Sequence, residues 1–279
     1  MQAEAAALTP REKAALVVVA GMPAPEGFGG VLVRSWNTEL PRPRDAIVFA
    51  DQEGGAVRTF AASPPSQAAS AYGSAAEARA AGRSTAAGLR RDGAHATFAP
   101  VLDLADGPLG SRQFARPEFG VAFARGLGRA ACVKHFPGLG SADRSTDEAR
   151  VHATVRARDL APFRAAVRAG VPCVMVGHAI YPSLGTRRAS FEPATYRLLR
   201  GLGFRGIAIT DSLGVLGSPY APFWARLALR AGADLVLTTS ARDAARIVDA
   251  LMPLARRGEL DEKVVRVLRY RRSLGVPAP

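Results

Sequence analysis

Apolar residues in this chain gather into short continuous runs rather than strict alternations. Eight of these runs predict strands: Ala15–Val19, Gly30–Val33, Ala46–Ala50, Ala96–Val101, Ala131–Lys134, Pro172–Val176, Gly206–Thr210 and Ala233–Thr238. Unbroken apolar runs of this length suit strands covered on both faces, as in a parallel sheet. Between several of them the spacing changes to that of a helix. Ala75–Arg91 is rich in Ala, Glu and Arg. Asp159–Ala169 sets Leu160, Phe163, Ala166 and Val167 on one face, and Ala241–Arg257 does the same with Ile247, Leu251 and Leu254. Residues Leu260–Gly275 predict a closing helix, with acids first, bases last and Gly275 as its stop.

Repeated strand–helix units with eight strands predict an α/β fold of the (β/α)₈ TIM-barrel type. At 279 residues the chain suits one such domain over 1–279, since a barrel takes about 250. Strands two and three are separated by Asn37-Thr-Glu-Leu-Pro-Arg-Pro-Arg44. Two prolines leave little room for a helix there, so the barrel is expected to be trimmed at this point. No Gly-x-Gly-x-x-Gly follows the first strand, which argues against a dinucleotide fold.

Composition changes this picture little. The net charge is +13, and the basic residues are almost all arginine, with lysine only at 13, 134 and 263. They are scattered over helical segments without an aromatic platform, so no nucleic-acid partner is expected. The excess reads first as a bias toward arginine and alanine on solvated faces, with attraction to acidic polymers such as cell-wall glycans as the alternative. Cys132 and Cys173 both lie inside apolar runs and are expected to be buried thiols rather than a disulfide framework. No apolar stretch reaches the roughly 20 residues of a membrane span. The N-terminus lacks a basic region leading directly into a long apolar run, so no signal peptide is read and the cytoplasm is the expected compartment.

A barrel of this kind carries its chemistry at the C-terminal ends of its strands. The polar residues there are Asp51-Gln-Glu-Gly-Gly55 after strand three, then Asp103 and Gly110-Ser-Arg-Gln-Phe114 after strand four. Lys134-His135 follow on strand five, Gly177-His178 on strand six and Thr210-Asp211-Ser212 on strand seven. One such Asp is often only the cap of the next helix. Five polar strand ends together point to a pocket. The four histidines, at 95, 135, 152 and 178, form no His-x-x-x-His pair, and no Gly-x-Ser-x-Gly elbow occurs. Neither a metal nor a cofactor is expected. What remains is carboxylate chemistry, whose common use in barrels is hydrolysis of a glycosidic bond.

Several long segments carry a specific likeness. They are Phe49-Ala-Asp-Gln-Glu-Gly-Gly-Ala-Val-Arg58, Phe98-Ala-Pro-Val-Leu-Asp-Leu104, Val133-Lys-His-Phe-Pro-Gly-Leu-Gly140, Val174-Met-Val-Gly-His-Ala-Ile-Tyr-Pro182 and Arg200–Gly214. In order and position they resemble the family 3 glycoside hydrolases, on the side of the single-domain β-N-acetylglucosaminidases. The resemblance implies a retaining glycosidase, of β-N-acetylhexosaminidase or β-glucosidase type, with Asp211 as nucleophile. It implies that Asp51, Arg112, Lys134 and His135 grip the sugar and that Met175 and His178 form the strand-six wall. Glu53 is given no catalytic role. The implied partner is a carbohydrate, with cell-wall-derived amino sugars as the class.

One segment departs from the family pattern. In that branch the loop after Lys-His-Phe-Pro-Gly carries Asp-Ser-His, whose histidine is the general acid/base. Here it reads Leu139-Gly-Ser-Ala-Asp-Arg-Ser-Thr-Asp-Glu148, which puts Ser145 at the family's Asp and Asp147 at its His. Asp147 is thus the first candidate for proton donor and Asp143 the second. The loop Leu139–Glu148 is expected to be mobile, because glycines flank its start and its middle is polar. A sugar-binding pseudoenzyme on the same barrel is the alternative reading.

Overall fold

In the computed structural model, which describes residues 1–277, eight parallel strands form one sheet. They are β1 (Val18–Gly21), β2 (Gly30–Val33), β3 (Ile47–Ala50), β4 (Ala96–Thr97), β5 (Cys132–Phe136), β6 (Cys173–Val176), β7 (Ile207–Ser212) and β8 (Leu235–Leu237). The order is β4-β3-β2-β1-β8-β7-β6-β5. Isolated parallel bridges from Thr97 to Ala131 and from Val101 to Lys134 join β4 to β5 and bring the ring round to a TIM-type barrel. Pro100 has no N–H to give, so strand four stops short of the predicted Ala96–Val101 and continues only as these bridges.

Helices α1 (Gln2–Ala7) and α2 (Pro10–Leu16) precede the barrel. The others are α3 (Ala75–Arg91), α4 (Pro117–Leu127), α5 (Ala157–Arg168), α6 (Pro193–Gly201), α7 (Ala221–Ala231), α8 (Ala241–Arg256) and α9 (Asp261–Ser273). Strand one was expected to begin at Ala15, but Ala15 and Leu16 belong to α2. The reason is local. Thr9 and Glu12 form a reciprocal capping box, with Pro10 in the first turn, and good helix formers continue the helix through Leu16. No helix separates β2 from β3, as the two prolines predict, and none separates β1 from β2 either. No helix among the described residues is long and apolar enough to cross a membrane.

Arg271 of α9 fills part of what those missing helices leave open. Although arginine is rarely buried, this one is only 1% exposed. Its guanidinium donates to the carbonyl oxygens of Phe28 (3.3 Å), Pro277 (2.8 Å) and Asp45. Phe28 and Asp45 lie on the β1–β2 and β2–β3 connections, so one side chain ties the closing helix to both. Elsewhere, α3 and α4 pack backbone to backbone. A Cβ at Gly82 would come within 2.2 Å of the Phe123 carbonyl oxygen, and one at Gly126 within 2.3 Å of that of Arg79.

The barrel interior is apolar. Leu32, Ile47, Phe49, Phe98, Ile207 and Leu235 fill it, and Phe49 stacks on Phe98 at 4.8 Å. Cys132 and Cys173 are in this interior and are direct register partners on β5 and β6. They form a disulfide, against the expectation of two free thiols. Parallel register sets their Cα atoms 4.3 Å apart, a neighbourhood that separate apolar runs in a sequence do not reveal.

Candidate active site

The C-terminal mouth of the barrel holds a cavity of ≈470 Å³, lined among others by Asp51, Glu53, Arg112, Lys134, His135, Asp147 and Asp211. Asp51 comes directly after β3, where its backbone N–H donates to Thr59 Oγ1 at 3.1 Å. The next residue, Gln52, is fully buried and clamps the following loop. Its amide donates to the Phe60 and Ser63 carbonyls, and its Oε1 accepts from the Phe60 N–H. This clamp fixes the turn from which Asp51 and Glu53 face the mouth.

A charge network follows. Lys134 Nζ lies 3.1 Å from Asp51 Oδ1 and 2.6 Å from Glu53 Oε1. Arg112, on the 3₁₀ turn Gly110–Arg112, holds Glu53 with two parallel bonds of 2.8 Å. Arg34 reaches the other oxygen of Asp51 at 3.2 Å. Burial alone would raise the Glu53 carboxyl, but Lys134 and Arg112 outweigh it and bring it down to about 2. Burial also opposes the Lys134 charge, yet Glu53 and Asp51 raise its pKa above the ordinary value. Glu53 is therefore the buried counter-ion that keeps both cations in place at the cavity wall. Sequence reasoning gave Glu53 no catalytic role and passed over Arg34. The order of two carboxylates in Asp51-Gln-Glu53 was the available signal for the first.

His135 and Asp211 form the second half of the site. Asp103, at the end of the strand-four segment, accepts at one oxygen from the His135 N–H (3.1 Å) and from His135 Nδ1 (2.7 Å). Its other oxygen accepts from the Leu139 N–H at 2.7 Å. With Nδ1 engaged, Nε2 is the ring atom that faces Asp211, 4.0 Å from Oδ2. Asp211 sits within β7, one residue before its end, and its Oδ1 accepts from the Ser212 N–H at 2.7 Å. Burial opposes its ionisation, but His135, His178, the Ser212 N–H and Lys134 prevail, so its pKa lies below the ordinary aspartate value. Burial in turn lowers His178 against the pull of Asp211 and the Ser212 carbonyl.

Two residues expected on the pocket wall are elsewhere. His178 is fully buried behind Asp211, with Nδ1 2.7 Å from Ser190 Oγ and Nε2 3.1 Å from the Ser212 carbonyl. Met175 faces the barrel interior among Ile207 and Ile209. Alternation along β6 explains this, since residues two apart share a face and Cys173 already points inward. Of the two loop carboxylates, Asp147 lines the cavity, while Asp143 is exposed and pairs with Arg144 at 3.2 Å. The loop is also better anchored than its polar middle predicts. Leu139, Ala142 and Thr146 are buried, and Ser141 Oγ bonds both backbone groups of Thr154. Among the described residues, no group of three or more His, Cys, Asp and Glu side chains could hold a metal ion.

The chain is similar to known proteins over most of its length. A β-hexosaminidase from Stenotrophomonas maltophilia (strain K279a) is 36% identical over 225 residues, covering 70% of this chain and 67% of that protein. A β-hexosaminidase from Xanthomonas oryzae pv. oryzae is 34% identical over 226 residues, with the same two shares. Among solved structures, a glycosyl hydrolase of family 3 from Mycobacterium smegmatis superposes with a TM-score of 0.84 at 29% identity, covering 99% of both chains. The family 3 β-N-acetylglucosaminidase of Paenibacillus sp. FPU-7 gives 0.86 at 28% identity, over 98% of this chain and 64% of that one. Residues 31–270 match the glycosyl hydrolase family 3 N-terminal domain, and the chain belongs to that family of glycosidases.

Proposed function

We propose that this chain is a retaining glycoside hydrolase acting on β-N-acetylhexosaminides, with Asp211 as its nucleophile. The observation that carries the reading is the state of Asp211: a half-buried carboxylate near a strand end, its pKa held below the ordinary aspartate value, opening onto a cavity lined by charged side chains. In the first step an Asp211 oxygen attacks the anomeric carbon, the glycosidic C–O bond breaks and the departing oxygen takes a proton. In the second, water attacks the same carbon, gives up its proton, and the ester to Asp211 breaks. Asp51, with Lys134 and Arg34 on its oxygens, is placed to accept hydrogen bonds from ring hydroxyls, and Lys134 and Arg112 to donate them. Asp147 is the loop carboxylate placed to handle the proton. The choice of sugar rests on the names of the relatives, all β-hexosaminidases or family 3 enzymes.

The test is turnover of a nitrophenyl β-N-acetylglucosaminide beside a nitrophenyl β-glucoside, by the native protein and by Asp211→Asn. The amide cannot form the ester, so a loss of about a thousandfold or more is expected with the fold intact. A rate within a few-fold of native refutes the assignment. A second reading, a sugar-binding protein without turnover, is favoured by one observation: Asp147 is exposed, in a loop that lacks a histidine. Sugar binding with no hydrolysis of either aryl glycoside would establish it.

A further inference from the structure

A cavity of ≈430 Å³ opens toward the end of the barrel opposite the mouth. Its walls come from α6, from α9 and from the connections that lead into β7 and β8, at the N-terminal ends of those strands. It shares no lining residue with the cavity of Asp211. Five of its side chains are cations, Arg197, Arg200, Arg205, Lys263 and Arg266, and among the described residues no carboxylate lines it. The mouth is different, because its cations are accompanied by Asp51, Glu53, Asp147 and Asp211.

Sequence spacing builds this crowd. Arg197 and Arg200 stand three residues apart on α6, and Lys263 and Arg266 three apart on α9. At that spacing side chains are neighbours on a helix, and like charges repel. Two of the five are held from behind by the fully buried Asp234, Arg200 at 2.6 Å and Arg266 at 2.7 Å, one on each oxygen. The oxygen that meets Arg200 also accepts from the Ala208 N–H at 2.9 Å, so Asp234 is committed to the scaffold. Arg266 lies 3.6 Å from the exposed Glu262 as well. Among the described residues Arg197, Arg205 and Lys263 make no ion pair. Burial lowers the Lys263 pKa against the pull of Asp234, and Arg266 and Arg200 add to the lowering. Asp234 and Glu262 answer two of the five charges and three remain, which favours an anion in the cavity.

A smaller slot of ≈180 Å³ adjoins this cavity and shares Arg205 and Arg266 with it. Pro172, Ile207 and Tyr270 give the slot apolar walls, and Arg269 stands beside them. We propose that cavity and slot together bind a nucleoside diphosphate, with its diphosphate among the five cations and its base in the slot. A diphosphate ester carries about three negative charges at neutral pH, matching the three that are unanswered. Guanidinium groups offer phosphate oxygens paired donors, and their planes stack on flat rings. Arg205 and Arg269 bring such planes to the slot without being tied to a carboxylate. An inorganic anion would use the cations and leave the apolar walls uncovered.

Calorimetric titration of the full chain with ADP, UDP and inorganic pyrophosphate tests this. At least one nucleotide is expected to bind about tenfold more tightly than pyrophosphate, through the added stacking of its base. All binding should weaken as salt is raised. Lys263→Gln combined with Arg197→Gln should weaken the nucleotide and pyrophosphate alike, by about tenfold or more. Arg269→Ala should weaken the nucleotide by about fivefold and leave pyrophosphate within about twofold, because Arg269 lines the slot alone. Among the described residues none of these three side chains makes an ion pair, so thermal unfolding should be unchanged in each variant. No binding of either nucleotide overturns the proposal, as does nucleotide binding no tighter than that of pyrophosphate. A nucleotide affinity that survives the Lys263 and Arg197 substitutions also overturns it, since the ligand would then sit elsewhere, the charged mouth included.

Discussion

His135 Nε2 stands 4.0 Å from Asp211 Oδ2. This is too long for a hydrogen bond and short enough for charge to be felt. The gap leaves room for a ring hydroxyl to contact both. What fixes it is Asp103, which holds both Nδ1 and the backbone N–H of His135 and, through Leu139, the start of the Leu139–Glu148 loop. One buried carboxylate therefore sets the aim of the imidazole and the root of the loop together.

Asp103→Asn should accordingly lower kcat/KM by about a hundredfold, since an amide nitrogen would face donors that need an acceptor. The loss should be the same for nitrophenolate and for poor leaving groups, because Asp103 positions His135 and donates no proton to the substrate. A loss confined to poor leaving groups would mean that Asp103 takes part in proton transfer.

Glu53 predicts a pH dependence of stability. Its folded pKa of about 2 lies below the ordinary 4.5. A group depressed in this way stabilises the fold fully above its unfolded value, and the contribution disappears as pH falls from about 4.5 towards 2. Two and a half units correspond to about 3 kcal/mol. Glu53→Gln should destabilise by a similar amount at neutral pH, because it strands Lys134 and loosens Arg112. Urea unfolding at pH 7 and pH 3 measures both. The variant should lose less stability than the native protein between those two values, and parallel losses would contradict the assignment.

Arg271 makes a separate prediction about the barrel. Arg271→Met keeps much of the side-chain volume but strands the carbonyls of Phe28, Asp45 and Pro277. A loss of about 3 kcal/mol or more is expected from urea unfolding. A change below about 0.5 kcal/mol would show that water satisfies these carbonyls equally well.

The strands were legible because each is buried on both faces, and such strands are written as continuous apolar runs. The rim residues were legible because polar side chains interrupt those runs at their ends, as Lys134-His135 and Asp211 do. What escaped depended on relations between distant segments. Whether Met175 faces the interior depends on the phase of β6 in the ring, and the pairing of Cys132 with Cys173 on the register of β5 against β6. The role of Glu53 depends on two cations from other strand ends, and that of Arg34 on Asp51 from the next strand. Arg271 read as an ordinary base in the last turn of a helix, yet two of its three partners lie more than two hundred residues away. In each case the residue type was visible and its partner was not.

The final prediction concerns Asp147. It lines the cavity with Asp211, and its charge contributes to raising the Arg112 pKa from within the same mouth. In a retaining site the proton donor and the nucleophile stand about 5–5.5 Å apart in the reacting complex. The segment that carries Asp147 is rooted by buried Leu139 and Ala142 and has an exposed tip, so a short inward movement of the tip can meet the substrate. Substrate on one side and the loop on the other would then exclude water from a carboxyl that is exposed in the empty site. If Asp147 is the acid/base, Asp147→Ala should slow a disaccharide, whose leaving alkoxide needs a proton, by about a thousandfold. A nitrophenyl glycoside, whose leaving group departs without help, should slow far less in its first step. Its second step still needs a base to activate water, so added azide should restore the rate and yield the β-glycosyl azide. Equal and small effects on both substrates, with no azide product, would make Asp147 a solvated loop residue. The proton would then have to come from another group.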